Sequence, residues 1–423
     1  MLTDVDALAN ALRESREYTF SLVNHLADSQ WEVPRWEIVN PLRWEVGHIG
    51  FFQELFCVRW RPDDPRGERM ASCLPGADTL YDSRTVAHER RWDLALPGRD
   101  AIQAYLGATL ERTLEVVRAG DVPARERCRL ALLHEDMHGE AILMTLQSVG
   151  LPAPARAWAT RSSVLPPCVD IGYEGGLLMQ GSPRDASRYV FDNEKWAHPV
   201  RVAPFAIASR PVTCGEFAAF VDAGGYQQDA YWVGEGARWR IEAAQEAPRY
   251  WRREGSSWWR RWFGEWQPVP LEDTMVHVSR HEAEAYCRWA GRRLPSESEW
   301  EFAATAGGVS DFPWGDVMAP EPASLDYRQA SPHAGAAPHA PAGAPHGLIG
   351  GVWEWTATPF GPYPGFEPDA YEEYSQPYFG THGTLRGGSF VTRSRLAHGR
   401  WRNFYAPNRN DCFAGFRTCA VSR

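Results

Sequence analysis

Apolar side chains recur at Val5, Leu8, Leu12, Leu22 and Leu26, close to the helical period, so residues 4–28 read as an amphipathic helix. The same spacing runs through residues 43–59, 100–118 and 124–149. Prolines fall at the joints (Pro41, Pro62, Pro65, Pro97 and Pro123), where a fixed φ and a missing N–H interrupt no helix. Helices of this length joined by short breaks predict an all-α four-helix bundle over residues 1–150, and bundle cores are where side chains from facing helices converge on a metal. The stretch LPAPARAWATRSSVLPP, residues 151–167, has no clean period and reads as an extended linker. In residues 168–423 clusters of Gly, Pro and Asn (IGYEGG, QGSPRD, FDNEKWAHPV, LRGGSF) cut the pattern into short strands. A helical period returns at residues 279–290, and Pro295 and Ser296 start another helix. The expectation is a two-domain chain, all-α and then α+β with long loops.

Composition narrows the function classes. With 423 residues, 44% of them hydrophobic, the chain exceeds one small core and is too apolar to be disordered. Lys+Arg 44 against Asp+Glu 54 gives a net charge of −10, which argues against nucleic acid or an anionic membrane as a partner. The amino-terminal segment carries acids where a secretion signal needs basic residues, and no stretch approaches the roughly 20 apolar residues of a membrane span, so a cytoplasmic protein is expected. The eight cysteines contain no CxxC pair, which suits reduced thiols better than a disulfide frame or a cysteine–zinc site. The 20 tryptophans supply flat apolar faces that also attract cations.

Candidate chemistry begins with HEDMH, which puts His134 and His138 one helical turn apart on one face, able to bind a single ion. Reading HExxH as a zinc peptidase, with Glu135 as general base, fails on its downstream requirements. Ala141 and Met144 stand where the extended motif needs Gly and His, and no acid lies between Ala141 and Val169. A third ligand is available upstream in WEVGHIGFFQE, where His48 sits mid-helix among Trp44, Phe51, Phe52 and Leu55. Three neutral imidazoles with open positions suit iron(II) or zinc, and ligand type alone does not separate them.

WEVGHIGFFQE, LYDSRTVAHERRWDLALP and HEDMHGEAILM resemble the DinB-like helical bundle that opens the ergothioneine-type sulfoxide synthases. GLIGGVWEWTATPFGPYPGF, YEEYSQPYF, LRGGSF and RNFYAPNRNDCFAGFR resemble the domain that closes them, which has a C-type-lectin or formylglycine-generating-enzyme-like fold. True formylglycine-generating enzymes carry a cysteine pair just after RGGS, whereas LRGGSFVTRSRLAHGRWRN has none. The resemblance implies a mononuclear non-heme iron(II) enzyme, with His48, His134 and His138 as metal ligands and dioxygen as co-substrate. Its small-molecule substrates would be hercynine (Nα-trimethylhistidine) and a sulfur or selenium donor, joined at imidazole C2.

The same resemblance assigns the catalytic tyrosine to Tyr371, with Tyr374 as runner-up. Asn403 would hydrogen-bond the substrate, and Trp353, Trp355, Phe404 and Phe416 would offer ring faces to the trimethylammonium, each well-placed ring contributing about 1–2 kcal/mol. Arg402 and Arg417 would be structural ion-pair partners. Met137 stands where many relatives have glutamine, and Tyr405 where they have an acid that recognises the donor. Arg84, Arg90 and Arg91 remain as anion contacts. The closing motif looks more like the selenoneine synthase branch, which joins hercynine to a selenosugar, a neutral donor that Tyr405, Asn408, Asn410 and Asp411 would hydrogen-bond. The alternatives are an ergothioneine-type synthase using γ-glutamylcysteine or cysteine, a zinc-dependent hydrolase or thiol transferase, and a non-catalytic binder of quaternary ammonium compounds.

Overall fold

A computed structural model describes residues 4–156, 165, 167–318, 324–333 and 343–421. Residues 157–164 and 166, most of the expected linker, lie outside the described residues. The chain divides into two compact units. One comprises Met1–Ala155 with Ser187–Tyr189 and Phe263–Glu265, and the other holds the remainder.

The first unit is a helical bundle of α1 (Val5–Val23), α2 (Leu42–Gln53), α4 (Arg99–Ala119) and α5 (Val122–Val149), with a single turn, α3 (Ala77–Tyr81), between α2 and α4. Helices α1 and α2 both pack on α4 and α5. The boundaries follow local chemistry. Asp121 caps α5 by accepting from the Ala124 amide at 2.9 Å, and Gly150, at φ 84°, closes it in the left-handed conformation. The period suggested that α1 continues to residue 28. It stops at Val23 because Arg99 takes the carbonyls of Asn24 and Leu26, each at 3.0 Å, and so ends the helical ladder. The segment expected as one helix over residues 43–59 changes at Glu54 into a π turn, Glu54–Arg59, with Trp60 N–H bonded to Leu55 O at 2.8 Å. The wider turn lets the buried Glu54 carboxylate accept from Tyr105 Oη and the Cys73 amide, both at 2.8 Å, and lets Arg59 donate to Gly67 O at 3.1 and 3.0 Å.

The second unit is α+β. Its strands are β1 (Asp170–Tyr173), β2 (Gly176–Gln180), β3 (His198–Val202), β4 (Phe205–Ala208), β5 (Trp251–Glu254), β6 (Ser257–Trp262), β7 (Glu265–Pro268), β8 (Arg292–Arg293), β9 (Trp353–Pro359), β10 (Gly383–Arg386), β11 (Arg402–Tyr405), β12 (Ala414–Gly415) and β13 (Cys419–Ala420). They form small sheets in the orders β1-β4-β13-β8, β11-β10-β9-β12, β2-β3 and β5-β6-β7. Helices α6 (Cys214–Asp222), α7 (Glu235–Ala243), α8 (Arg280–Trp289) and α9 (Glu297–Ala304) complete it. Ser279 and Ser296 begin α8 and α9 as capping boxes with Glu282 and Glu299. Trp300, Leu178, Phe205, Ile207, Leu325 and Leu348 fill the core.

Three buried arginines brace β9, β10 and β11, two of them against α9. Arg386 pairs with Glu297 and Glu301 at 2.8 and 2.7 Å, and Arg402 with Glu297 at 2.6 Å. Arg417 pairs with Glu354 at 2.6 Å, and Trp300 Nε1 donates to the same carboxylate at 2.8 Å. The turn after Arg386 requires glycine, because Gly387 sits at φ 96° and a Cβ there would lie 2.4 Å from Leu348 O. All eight cysteines are free thiols. Among the described residues no helix is long and apolar enough to cross a membrane.

Replacing Arg417 with methionine leaves the Glu354 carboxylate charged and buried, at an expected cost of about 3–5 kcal/mol. Urea denaturation followed by tryptophan fluorescence checks this, and a wild-type midpoint contradicts it.

Candidate metal centre

Helices α2 and α5 carry the three histidines picked out by their spacing. On α2, Gly47 is required, since a Cβ would stand 2.2 Å from the Tyr81 ring. That close approach brings the end of α3 against α2, where the Tyr81 carbonyl lies 2.8 Å from His48 Nδ1. On α5, His134 and His138 follow one another at one turn, with ring centroids 4.3 Å apart.

One ligand atom from each of His48, His134 and His138 lies within 4.8 Å of the others. The Nε2 atoms of His134 and His138 are 3.0 Å apart, the separation of two nitrogens each about 2.1 Å from one ion and at right angles around it. Ring tautomers follow from the other nitrogen of each imidazole. His48 Nδ1–H donates to the Tyr81 carbonyl, and His138 Nδ1–H donates to Glu45 Oε1 at 2.5 Å, so both rings present an Nε2 lone pair. Trp44 stacks on His48 with centroids 4.7 Å apart and planes 10° from parallel, while Phe52 stacks on His134 at 3.5 Å and 7°.

Burial favours the uncharged form of His48 and His134. Burial, reinforced by the neighbouring His138, pushes His48 down to about 3 against the opposing pull of the Tyr81 carbonyl and Glu45. Burial also holds His134 well below its ordinary value, with His138 and His48 adding to the effect. Burial alone would raise the Glu45 carboxyl. His138, His48 and the hydrogen bond from Asn40 outweigh that and hold it below its ordinary value.

Glu135 is not aimed at this centre. Its carboxylate accepts from Arg16 Nε and Nη2 at 2.8 and 3.1 Å and from Thr19 Oγ1 at 2.9 Å, all buried. Its oxygens are thus engaged by a guanidinium and a hydroxyl, in line with the rejected zinc-peptidase reading.

In the second unit Tyr371, Tyr374 and Phe404 gather. Tyr374 lies 5.6 Å from Tyr371, 5.8 Å from Phe404 and 4.8 Å from Phe191, centroid to centroid. Ser375 Oγ donates to Asp192 at 2.5 Å, and Lys195 pairs with Asp369 at 2.6 Å, so the loop is held at both ends. Burial raises the Tyr374 phenol well above its ordinary value, and the carboxylates of Glu194 and Asp192 add to it. Asn403 Oδ1 accepts from the Phe404 amide at 2.8 Å, and Tyr405 lies 5.6 Å from the Arg409 guanidinium.

Residues 167–421 match the sulfatase-modifying factor enzyme 1-like domain, and residues 11–142 match the DinB superfamily. Over almost its full length the chain is similar to hercynine oxygenase of Mycolicibacterium smegmatis, at 34% identity over 97% of this chain and 98% of that protein. It is 33% identical to hercynine oxygenase of Mycobacterium tuberculosis, over 98% of this chain and 99% of that protein. The chain belongs to the hercynine oxygenase family. Its second part is also similar to the formylglycine-generating enzyme of Streptomyces coelicolor, at 32% identity over 61% of this chain and 89% of that protein.

Several residues singled out in this hercynine oxygenase-family chain take other places. Trp353 and Phe416 are core residues. They are 1% and 0% exposed, Trp353 packing against Trp401 at 4.9 Å and Phe416 against Tyr286 at 5.3 Å, so no ring face is open. Trp355 is buried likewise, its indole N–H donating to Val278 O at 2.9 Å. Asn410 and Asp411 are also committed internally, Asn410 to Gln245 at 3.0 Å and Asp411 to Arg409 at 2.6 Å, whereas Asn408 is exposed. Arg84 forks onto Asp82, its Nε and Nη2 each 2.8 Å from an oxygen, and Arg90 is exposed 3.7 Å from Asp93. Arg402 and Arg417 are ion-pair partners. A cavity of about 680 Å³ in the second unit, lined by Arg249, Trp251, Arg252, Arg253 and Trp258, holds none of the residues expected at the site. The sequence reading missed Glu45 and the Tyr81 carbonyl. The available signal was an acid three residues before His48 in an otherwise apolar stretch.

Replacing His48, His134 or His138 with alanine is expected to abolish stoichiometric metal binding. Glu135→Ala is expected to keep one ion per chain while costing about 3–5 kcal/mol through the stranded Arg16. Metal analysis of the purified variants checks this, and loss of the ion from folded E135A would overturn the assignment of Glu135.

Proposed function

We propose that this protein is an iron(II)- and dioxygen-dependent oxidoreductase that joins a chalcogen donor to imidazole C2 of hercynine, and that the donor is a selenosugar. The observation that carries the enzyme class is the convergence of His48, His134 and His138 in a chain that belongs to the hercynine oxygenase family. Imidazole C2 is neither acidic nor electrophilic at neutral pH, so its substitution by a thiol or selenol needs an oxidant. A bound iron(II) ion supplies redox chemistry with dioxygen that no side chain offers. In the overall balance the C2–H and chalcogen–H bonds break and the C2–chalcogen bond forms. Dioxygen takes four electrons, two from that bond formation and two from oxidising the joined chalcogen, and one water leaves.

The protein's own groups then have defined tasks. His48, His134 and His138 would hold the ion as neutral ligands, so that its charge would favour the anionic form of a thiol or selenol. Tyr371, with Tyr374 as runner-up, supplies a proton from its phenol. Asn403 orients hercynine, and the rings of Phe404 and Tyr374 replace Trp353 and Phe416 as faces for the trimethylammonium, which has no hydrogen to donate. The choice of a neutral donor is supported by the arginines. Arg84 is taken up by Asp82 and Arg91 by Asn40, which removes them from a clamp for the two carboxylates of γ-glutamylcysteine. Met137 and Tyr405 point the same way. The second reading, a synthase using γ-glutamylcysteine or cysteine, draws on the same centre and rests on the hercynine oxygenase relatives.

Oxygen uptake by the iron(II)-loaded protein with hercynine and each donor, with products weighed by mass spectrometry, tests both parts. Uptake with formation of a hercynine–selenosugar adduct, faster than any thiol adduct, is expected. Equal or faster turnover of γ-glutamylcysteine defeats the donor assignment, and no uptake with either donor defeats the oxidative one. Tyr371→Phe is expected to lower turnover by roughly 10²–10⁴ while leaving metal content unchanged.

A further inference from the structure

Outside the imidazoles, one guanidinium reaches towards two of them by separate routes. Arg91 follows the short turn His88–Arg90, and that turn is docked against the segment that leads into α2. His88 Nε2 lies 2.8 Å from Val39 O, and Trp92 Nε1 donates to Val33 O at 3.0 Å. From there Arg91 Nη1 donates to Asn40 Oδ1 at 2.6 Å. Asn40 Nδ2 donates to Glu45 Oε2 at 2.5 Å, and the other oxygen of that carboxylate accepts from His138 Nδ1, also at 2.5 Å. On the other route the Arg91 guanidinium carbon lies 3.6 Å from the centroid of the Trp44 ring, which also stacks on His48. Trp44 and His48 are one turn apart on α2, and their ring nitrogens bond the successive carbonyls Leu80 and Tyr81 at 2.8 Å each.

We infer that Arg91 and Asn40 are positioning residues for the metal centre, one fixing His138 through Asn40 and Glu45 and the other route fixing His48 through Trp44. The inference rests on the metal reading of the three histidines and adds to it a segment, residues 88–92, that supplies no ligand. A carboxylate bonded to a ligating imidazole sets ring orientation and basicity, but only if the carboxylate is itself held. Glu45 has Asn40 for that purpose, and Asn40 in turn has Arg91, so the amide is oriented with its oxygen towards the guanidinium and its NH₂ towards Glu45. Arginine is suited to both routes at once, because its planar guanidinium donates in-plane while its face covers a ring. Lysine offers a point charge and loses the stack.

The test uses the full-length protein and cobalt(II), whose ligand-field absorption reports ligand geometry without any turnover. Arg91→Ala and Asn40→Ala are each expected to weaken cobalt(II) affinity roughly 10–100-fold and to alter the visible bands. Arg91→Lys is expected to recover less than half of that loss on a logarithmic scale. The double variant N40A/R91A is expected to lose little beyond R91A alone, since both substitutions cut one chain of contacts. Wild-type affinity and spectrum in R91A and N40A, or losses that multiply in the double variant, overturn the positioning role. Thermal melts accompany each titration, and should R91A not fold, N40A and R91K decide the matter by the same spectra. Failure of the wild-type protein to take up cobalt(II) overturns the metal centre itself, a result distinct from unaltered binding by the variants.

Discussion

The three-histidine cluster of the first unit depends on turning imidazole rings correctly inside an apolar bundle. A buried ring with an unsatisfied N–H costs free energy, and a ring free to rotate presents the wrong nitrogen. The bundle meets both demands for His48 and His138 with one hydrogen bond each, to the Tyr81 carbonyl and to Glu45. These acceptors come from elements that the ligand spacing does not mark: the end of a single-turn helix, and an acid on the ligand helix itself. The stacked faces of Trp44 and Phe52 then fix the ring planes. A three-histidine site is thus a property of α2, α3, α5 and the loop after α3 together.

The second unit solves a different problem. It has short strands, much irregular chain and little regular ladder, so its frame relies on charge pairs buried in the core. Glu297 alone receives Arg386 and Arg402, and Glu354 receives Arg417 together with the Trp300 indole. Such groups are costly singly and satisfied only as a set, which makes the arrangement intolerant of partial change. The loop carrying Tyr371 and Tyr374 is attached to this frame through Asp192 and Lys195. A tyrosine loop held at two points keeps its rings in place without belonging to a sheet.

The long helices were legible in the sequence because burial on one face imposes a period, and the bundle follows from four such segments. The convergence of His48 with His134 and His138 was legible from spacing on α5 and from the apolar setting of His48. What escaped was set by contacts far apart in the chain. Nothing in the pattern around Asn40 announces that residue 91 will reach it, and α3 is too short to show a period. The stop of α1 at Val23 depends on Arg99, about seventy residues away along the chain. Residues read as substrate contacts from motif and chemistry alone, Trp353, Phe416, Asn410 and Asp411, lie buried, because large rings and hydrogen-bonding side chains serve cores as readily as they serve ligands.

The π turn at Glu54–Arg59 inserts extra chain into the helix just after the stretch that carries His48. One residue rotates a helix face by about 100°, so the widened turn lets the two halves of one segment aim at unrelated targets. Upstream, the face carrying His48 looks inward to imidazoles. Downstream, Glu54 and Arg59 tie down the loop through Cys73 and Gly67. Insertions or deletions beyond the bulge would consequently be felt by the loop, without re-phasing the histidine.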